Sequence, residues 1–305
     1  MLNRKEIFKQ FTWLQDSNRH FVISANYDGL ICASFLSHFL KWELAGYYNM
    51  EKIWISDEGI KNKKNLIWVD LDILPTAGRT LGGHIVKLND SFPKGYNNSC
   101  NPNILLNLSN NDFKSKYPLS TLAFLMWLFN TSIPKTLYGQ FLILHSDAIW
   151  LKYQKYSKNF SYWLELLNDY SWDKLFKNID TLSYEKKVDQ VFYPDLIKAG
   201  SISGFSKLSS KHLKIKSRES KFNPDWDEDV MLNLLEFFAE HLSWNPLILP
   251  KITKKIAGKK YSVNINQVDQ TGLEKFIKNK KIFSYAITSQ LMVVVHIQLM
   301  KEAYH

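Results

Sequence analysis

Residues 21 to 40, FVISANYDGLICASFLSHFL, contain a change of hydrophobic period. Phe21-Val22-Ile23 is an unbroken apolar run and predicts a short buried strand, whereas Leu30, Ala33, Leu36, Phe39 and Leu40 recur at the spacing of a helix. The polar turn from Ser24 to Gly29 lies between them, at the carboxyl end of the strand, where open α/β sheets place their chemistry. At this point Asp28 has two readings, a site residue or a helix cap. Ile53–Ser56 predicts another short strand. In Asn65–Asp72, NLIWVDLD, the continuous run Leu66 to Val69 suits a central parallel strand covered on both faces, with Asp70 and Asp72 at its carboxyl end. Ile85–Leu88 reads as a further strand closing in Asn89-Asp90-Ser91, and Gln140–Leu144 as another closing in His145-Ser146-Asp147.

Four of these five expected strands deliver an aspartate near the carboxyl end: Asp28, Asp70, Asp90 and Asp147. Strands alternating with helices predict a mainly parallel sheet, which gathers carboxyl ends along one edge. Carboxylates so gathered repel one another unless a cation binds among them. Asp28, Asp70 and Asp147 are therefore expected to meet, with Asn26 and Asp90 beside them. Met1 to Asn18 and Pro118 to Asn130 predict helices, and Ser91 to Asn111, rich in Asn, Pro, Ser and Gly, predicts a loop. The fold class expected is α/β, a mainly parallel sheet flanked by helices, followed by a smaller mixed α/β region. Its divisions are residues 1–205, a polar and basic linker or loop at 206–226, and a carboxyl-terminal domain at 227–305.

Composition narrows the setting. A hydrophobic fraction of 45% and ten tryptophans call for packed cores. Cys32 and Cys100 are too few for a disulfide framework and lack metal-ligand spacing. The amino-terminal residues have no apolar segment of a secretory signal, and no apolar stretch is long enough to span a membrane. The expected setting is cytoplasmic or otherwise intracellular, with no membrane partner. A net charge of +10 suits a polyanion, nucleic acid above all, although the lysines are spread through every region. Tyr138 to Phe205 is aromatic-rich, and Lys152, Lys155 and Lys158 interleave with Tyr153, Tyr156 and Tyr162. That pattern fits a base-stacking surface for single strands, or a helical core with solvated lysines. The second reading is favoured, because Trp150, Tyr153, Phe160, Trp163 and Leu167 recur at helical spacing.

The ordered set of strand ends resembles the DHH phosphoesterase superfamily over roughly residues 20 to 150. That family opens on His-x-Asp-x-Asp-Gly-x-x-Ser-Ala; the corresponding run here is Ser24-Ala25-Asn26-Tyr27-Asp28-Gly29-Leu30-Ile31-Cys32-Ala33. Its second motif, an aspartate closing a strand, is matched by Asp70, and its fourth by Ser146-Asp147. Its Asp-His-His signature corresponds to Asn89-Asp90-Ser91, followed by Asn101-Pro102-Asn103, which resembles an Asn-Pro common after the signature. His84, in Gly82-Gly83-His84, precedes the expected Ile85–Leu88 strand and is set aside.

The family holds two divalent ions, typically manganese. Here Ser24 stands at its first histidine, Asn26 at its first aspartate, and neither signature histidine is present. The resemblance therefore implies metal ligands Asp28, Asp70, Asp90 and Asp147 for one divalent cation, manganese or magnesium. It implies a catalytic set of Asp28, Asp70 and Asp147, and substrate-binding residues Asn26, Asn101 and Asn103. The function implied is that of a degenerate member binding nucleic acid (single strand before duplex), a nucleotide, or a replication/repair protein partner, with catalysis weak or lost. Two alternatives stand beside it. One is an active metal-dependent phosphodiesterase or single-strand exonuclease, in which a metal-bound water attacks phosphorus. The other is a non-enzymatic protein-interaction module on a Rossmann-like sheet. The family's Gly-Gly-Gly-His signature is not found in the second half; the nearest glycine is in Ala257-Gly258-Lys259-Lys260.

Overall fold

The computed structural model describes residues 1–74, 78–176, 181–198, 209–211, 214–216, 221–289 and 292–297. The chain is α/β and divides into two units that alternate along the sequence. One comprises Met1–Leu2, Ala25–Phe39 and Pro118–Leu247; the other comprises Asn3–Ser24, Leu40–Tyr117 and Ile248–His305.

The latter unit holds a mixed six-stranded sheet, in the order β5-β4-β1-β2-β3-β8. Its strands are β1 (His20–Ser24), β2 (Glu43–Tyr48), β3 (Lys52–Ser56), β4 (Ile67–Val69), β5 (Arg79–Leu81) and β8 (Ile252–Ala257). From β5 to β2 the pairing is parallel, and β3 and β8 run antiparallel to their neighbours. β1 is apolar from Phe21 to Ile23 and β4 throughout, because parallel neighbours leave neither face to water. One face packs Val22, Ala45, Ile53, Ile55, Trp68 and Ile256 into a common core. Helix α3 (Asp57–Lys61) is capped by Ser56, whose hydroxyl accepts from the Gly59 N–H at 3.2 Å. At the amino end, α1 (Arg4–Gln10) is capped by Asn3 and gives way to a 3-10 turn over Thr12–Gln15. A second, antiparallel sheet of β10 (Ile282–Ile287), β11 (Met292–Ile297) and β9 (Lys259–Asn264) carries α13 (Ile265–Thr271) and α14 (Leu273–Lys280).

Gly46 marks the tightest point of the large sheet. A Cβ there would press on the Trp54 carbonyl oxygen and lie 3.2 Å from Ile55 Cα. Backbone held in a ladder on both sides cannot yield, so Gly46→Ala is expected to cost about 2 kcal/mol. Urea unfolding measures it, and a midpoint equal to wild type would refute the crowding.

Two expected strands are absent as such. Ile85–Leu88 forms only isolated bridges, among them Ile85 to Ile287 and Lys87 to Ser109. Its apolar side chains Ile85, Val86 and Leu88 pack with Val263, Tyr285 and Val295 of the three-stranded sheet. The strand beside β4 is instead β5, so Gly82-Gly83-His84 follows a parallel strand instead of preceding one. Gln140–Leu144 lies inside helix α6 (Leu137–His145), capped by Thr136, whose hydroxyl accepts from the Gly139 N–H at 3.1 Å. An apolar run buried all round has no period by which to tell helix from strand, and the cap decides. The expected loop from Ser91 to Asn111 contains the short helix α4 (Pro102–Leu105) and 3-10 turns.

The first unit is mainly helical. α2 (Tyr27–Leu40) and α5 (Thr121–Leu128) are buried along most of their lengths. They are joined there by α6, α7 (Ile149–Lys155), α8 (Ser157–Leu166), α9 (Asp173–Phe176), α10 (Thr181–Lys187), α11 (Tyr193–Lys198) and α12 (Glu228–Leu242). Trp127 donates its indole N–H to the Asn168 carbonyl at 3.2 Å. Phe160 and Trp163 are fully buried and Trp150 nearly so, while Tyr156 and Tyr162 are exposed. The aromatic-rich region is thus chiefly core. Of residues 206–226, β6 (Ser209–Lys211), β7 (Lys214–Lys216) and 221–226 are described; the rest of that expected linker lies outside the described residues.

Candidate functional site

In the sheet unit, parallel pairing of β1 with β4 aligns Ile23 with Val69. The residues that follow are thereby brought together: Ser24 donates its hydroxyl to Asp70 Oδ2 at 2.5 Å. Asp70 leaves the strand in the left-handed region (φ 59°), a conformation that aspartate tolerates better than most residues. Its N–H donates to the Leu81 carbonyl at 2.7 Å, tying the ends of β4 and β5.

Two residues on, Asp72 is buried at 4% exposure. Its Oδ1 accepts from Asn101 Nδ2 at 2.8 Å; its Oδ2 meets both the His84 backbone N–H and His84 Nδ1 at 3.0 Å. A buried carboxylate needs such donors to offset the loss of water. The His84 side chain is 47% exposed, so the dyad joins a buried acid to an imidazole at the surface. Asn101 serves three partners at once. Its Oδ1 caps α4 by accepting from the Asn103 N–H, and its Nδ2 also donates to the His84 carbonyl at 2.8 Å. Asn103 donates Nδ2 to the Gly83 carbonyl at 2.7 Å and accepts from the Tyr117 N–H at 2.8 Å. At 0% and 1% exposure, both asparagines face inward and hold the Gly82-Gly83-His84 turn. The charge of Asp72 adds to burial in raising the Tyr285 phenol well above its usual pKa.

Asp90 sits elsewhere in this unit, exposed in a turn closed by Leu88 and Ser91, which exchange backbone hydrogen bonds at 2.8 and 3.1 Å. It does not close a parallel strand, because Ile85–Leu88 is not one.

In the helical unit, Asn26 accepts from the Gly29 N–H at 2.8 Å and so starts α2. Asp28 lies in the first turn of that helix, 7% exposed, where the helix dipole favours a negative charge. Its carboxylate accepts from the Asp147 backbone N–H, so two of the expected residues do meet. The contact runs through backbone, however, and Asp147 turns its carboxylate to Lys152 Nζ in an ion pair. Asp147 and Ala148 are both left-handed (φ 47° and 53°), in the kink between α6 and α7. Ser146 ahead of them is fully buried, and among the described residues its hydroxyl finds no hydrogen-bond partner. Behind Asp28, burial raises the Tyr27 phenol well above its usual pKa, and the neighbouring Asp28 charge adds to that. Tyr27 donates to the Leu142 carbonyl at 3.0 Å.

Among the described residues, no group of three or more His, Cys, Asp and Glu side chains is arranged to hold a metal ion. The Ser24 hydroxyl and the Lys152 ammonium stand as donors beside the Asp70 and Asp147 carboxylates. Two pairings were not expected from sequence: Asp72 with His84, and Asp147 with Lys152. The paired glycines before His84 were the available signal; Lys152 was one lysine among many.

No protein-family description, no characterised protein and no solved structure matches the chain. Among the described residues, no helix is long and apolar enough to cross a membrane.

Proposed function

We propose that this protein is a degenerate DHH-phosphoesterase-like protein that binds nucleic acid, single strands before duplex, or a replication/repair partner, with catalysis weak or lost. The observation carrying this reading is how the matched positions are used. Where the family pattern has an imidazole, Ser24 offers a hydroxyl and donates it to Asp70. Where a carboxylate would face a cation, Asp147 faces the Lys152 ammonium. Two-metal hydrolysis needs one ion to generate hydroxide and another to stabilise the leaving oxygen. Replacing ligands by internal partners would remove that assistance, and the net charge of +10 supports a polyanionic partner. The expected result with labelled single strands, in manganese or magnesium, is salt-sensitive binding and no cleavage above that of Asp70→Asn. Robust cleavage that disappears in Asp70→Asn would overturn the reading.

A hydrolytic reading has one observation in its favour, the half-exposed His84 ring on buried Asp72. A carboxylate fixing one imidazole nitrogen is how a general base is oriented. Cleavage retained in Asp70→Asn but lost in His84→Gln would select that reading.

A further inference from the structure

One described segment of this chain is strongly basic. Residues 251–281 hold nine lysines against Asp269 and Glu274, a net +7 within a chain of +10. All nine are exposed. Lys254 and Lys255 lie on β8, the last strand of the six-stranded sheet, and Lys259 and Lys260 open β9, an outer strand of the three-stranded sheet. Gly258 makes the corner between them, its N–H donating to the Glu51 carbonyl at 2.6 Å. Lys275 and Lys278 stand on α14, whose Leu273 and Phe276 turn inward to the core.

We propose that this lysine-rich β8–β9 corner, extended by α14, is a docking surface for the phosphate backbone of single-stranded nucleic acid. The choice of nucleic acid rests on the reading above; the location does not follow from it. Charge complementarity is the first argument: seven net positive charges within 31 residues attract a polyanion and release its counterions. The second is what the surface lacks. An amphipathic segment that binds a lipid surface needs exposed apolar residues, yet no described large hydrophobic between 251 and 281 is exposed. Phosphates on a flexible strand require only cations. Lysines on outer strands also discourage edge-to-edge pairing, a role needing no ligand; replacing them would then promote aggregation without touching affinity.

The test is fluorescence anisotropy of labelled oligo(dT) with the full chain over a salt series. The variants are K254Q/K255Q/K259Q/K260Q and K275Q/K278Q, with K155Q/K158Q on α7–α8 for comparison. Thermal unfolding confirms that each is folded. The corner variant is expected to bind at least tenfold more weakly at physiological salt. Its plot of log K against log salt should flatten by up to about 2.8, about 0.7 for each phosphate that the four lysines no longer neutralise. If the wild type binds and the corner variant matches it in affinity and slope, this location is overturned while the nucleic-acid reading stands. If the wild type binds neither single nor double strands, both fall. Binding to anionic vesicles in place of oligo(dT) would overturn the proposal in favour of a lipid surface.

Discussion

Between pH 6.5 and pH 4 the protein is expected to lose on the order of 3 kcal/mol of stability through His145 alone, because burial pushes that imidazole down from 6.5 to about 4. The ring ends α6, edge-on to Tyr27 at 4.6 Å and 5.8 Å from Phe192. The sign follows from which state takes the proton. Above the unfolded value neither state is protonated and the contribution is complete. As the pH falls, the unfolded chain gains a proton that the folded protein refuses, so folding weakens at about 1.4 kcal/mol per pH unit. Below the folded value both are protonated and the loss stops. Carboxylates add their own acid sensitivity lower down, so the diagnostic is a difference. Urea unfolding of the wild type and His145→Gln should diverge in pH slope by about one proton between these limits. Parallel slopes would show that His145 titrates normally.

Replacing Asp72 by alanine is expected to destabilise the fold by roughly 4 kcal/mol. The carboxylate is the acceptor for Asn101 Nδ2 and the His84 N–H, and each buried donor left without a partner costs about 1–3 kcal/mol. The loss should spread, because the same Asn101 caps α4 and holds the His84 carbonyl. Gly82 supplies an independent check. A Cβ on Gly82 would strike the Asp72 carboxylate, whereas on Gly83 its nearest neighbour would be Tyr117 Cδ1 at 3.9 Å. Gly82→Ala should therefore unfold at clearly lower urea than wild type, and Gly83→Ala at nearly the same concentration. If Asp72→Ala and Gly82→Ala both unfold with the wild type, the network does not stabilise the turn, and an oriented His84 loses its basis.

That turn shows where a linear reading stops. Asp72 was visible at the end of an apolar run, and His84 after two glycines. Nothing local told that Arg79-Thr80-Leu81 is a strand, since three residues with an arginine and a threonine carry no period. Pairing with β4 makes it one, and only then does His84 fall at a strand's carboxyl end. Asn101 and Asn103 were expected to bind substrate because Asn101-Pro102-Asn103 resembles the Asn-Pro that follows the family's signature. Their burial follows from α4 folding back on Gly83 and His84.

What the sequence determined by itself were the elements with strong local instructions. β1, β4 and α2 follow from apolar runs of the right length and period, and the helix in Pro118 to Asn130 from apolar residues after Ser120, whose hydroxyl caps it. The α/β class and the placing of Ser24 and Asp70 at strand ends follow from them. Tertiary structure decided the rest. Phe141 to Leu144 is equally apolar as helix or strand, and the Thr136 cap with burial on every side made it helix. Ile85 to Leu88 could have joined either sheet and covers the smaller one. Which partner each carboxylate takes — Ser24 for Asp70, Lys152 for Asp147, a backbone N–H for Asp28 — was settled by the groups that folding brings within hydrogen-bonding distance, and no spacing along the chain encodes that.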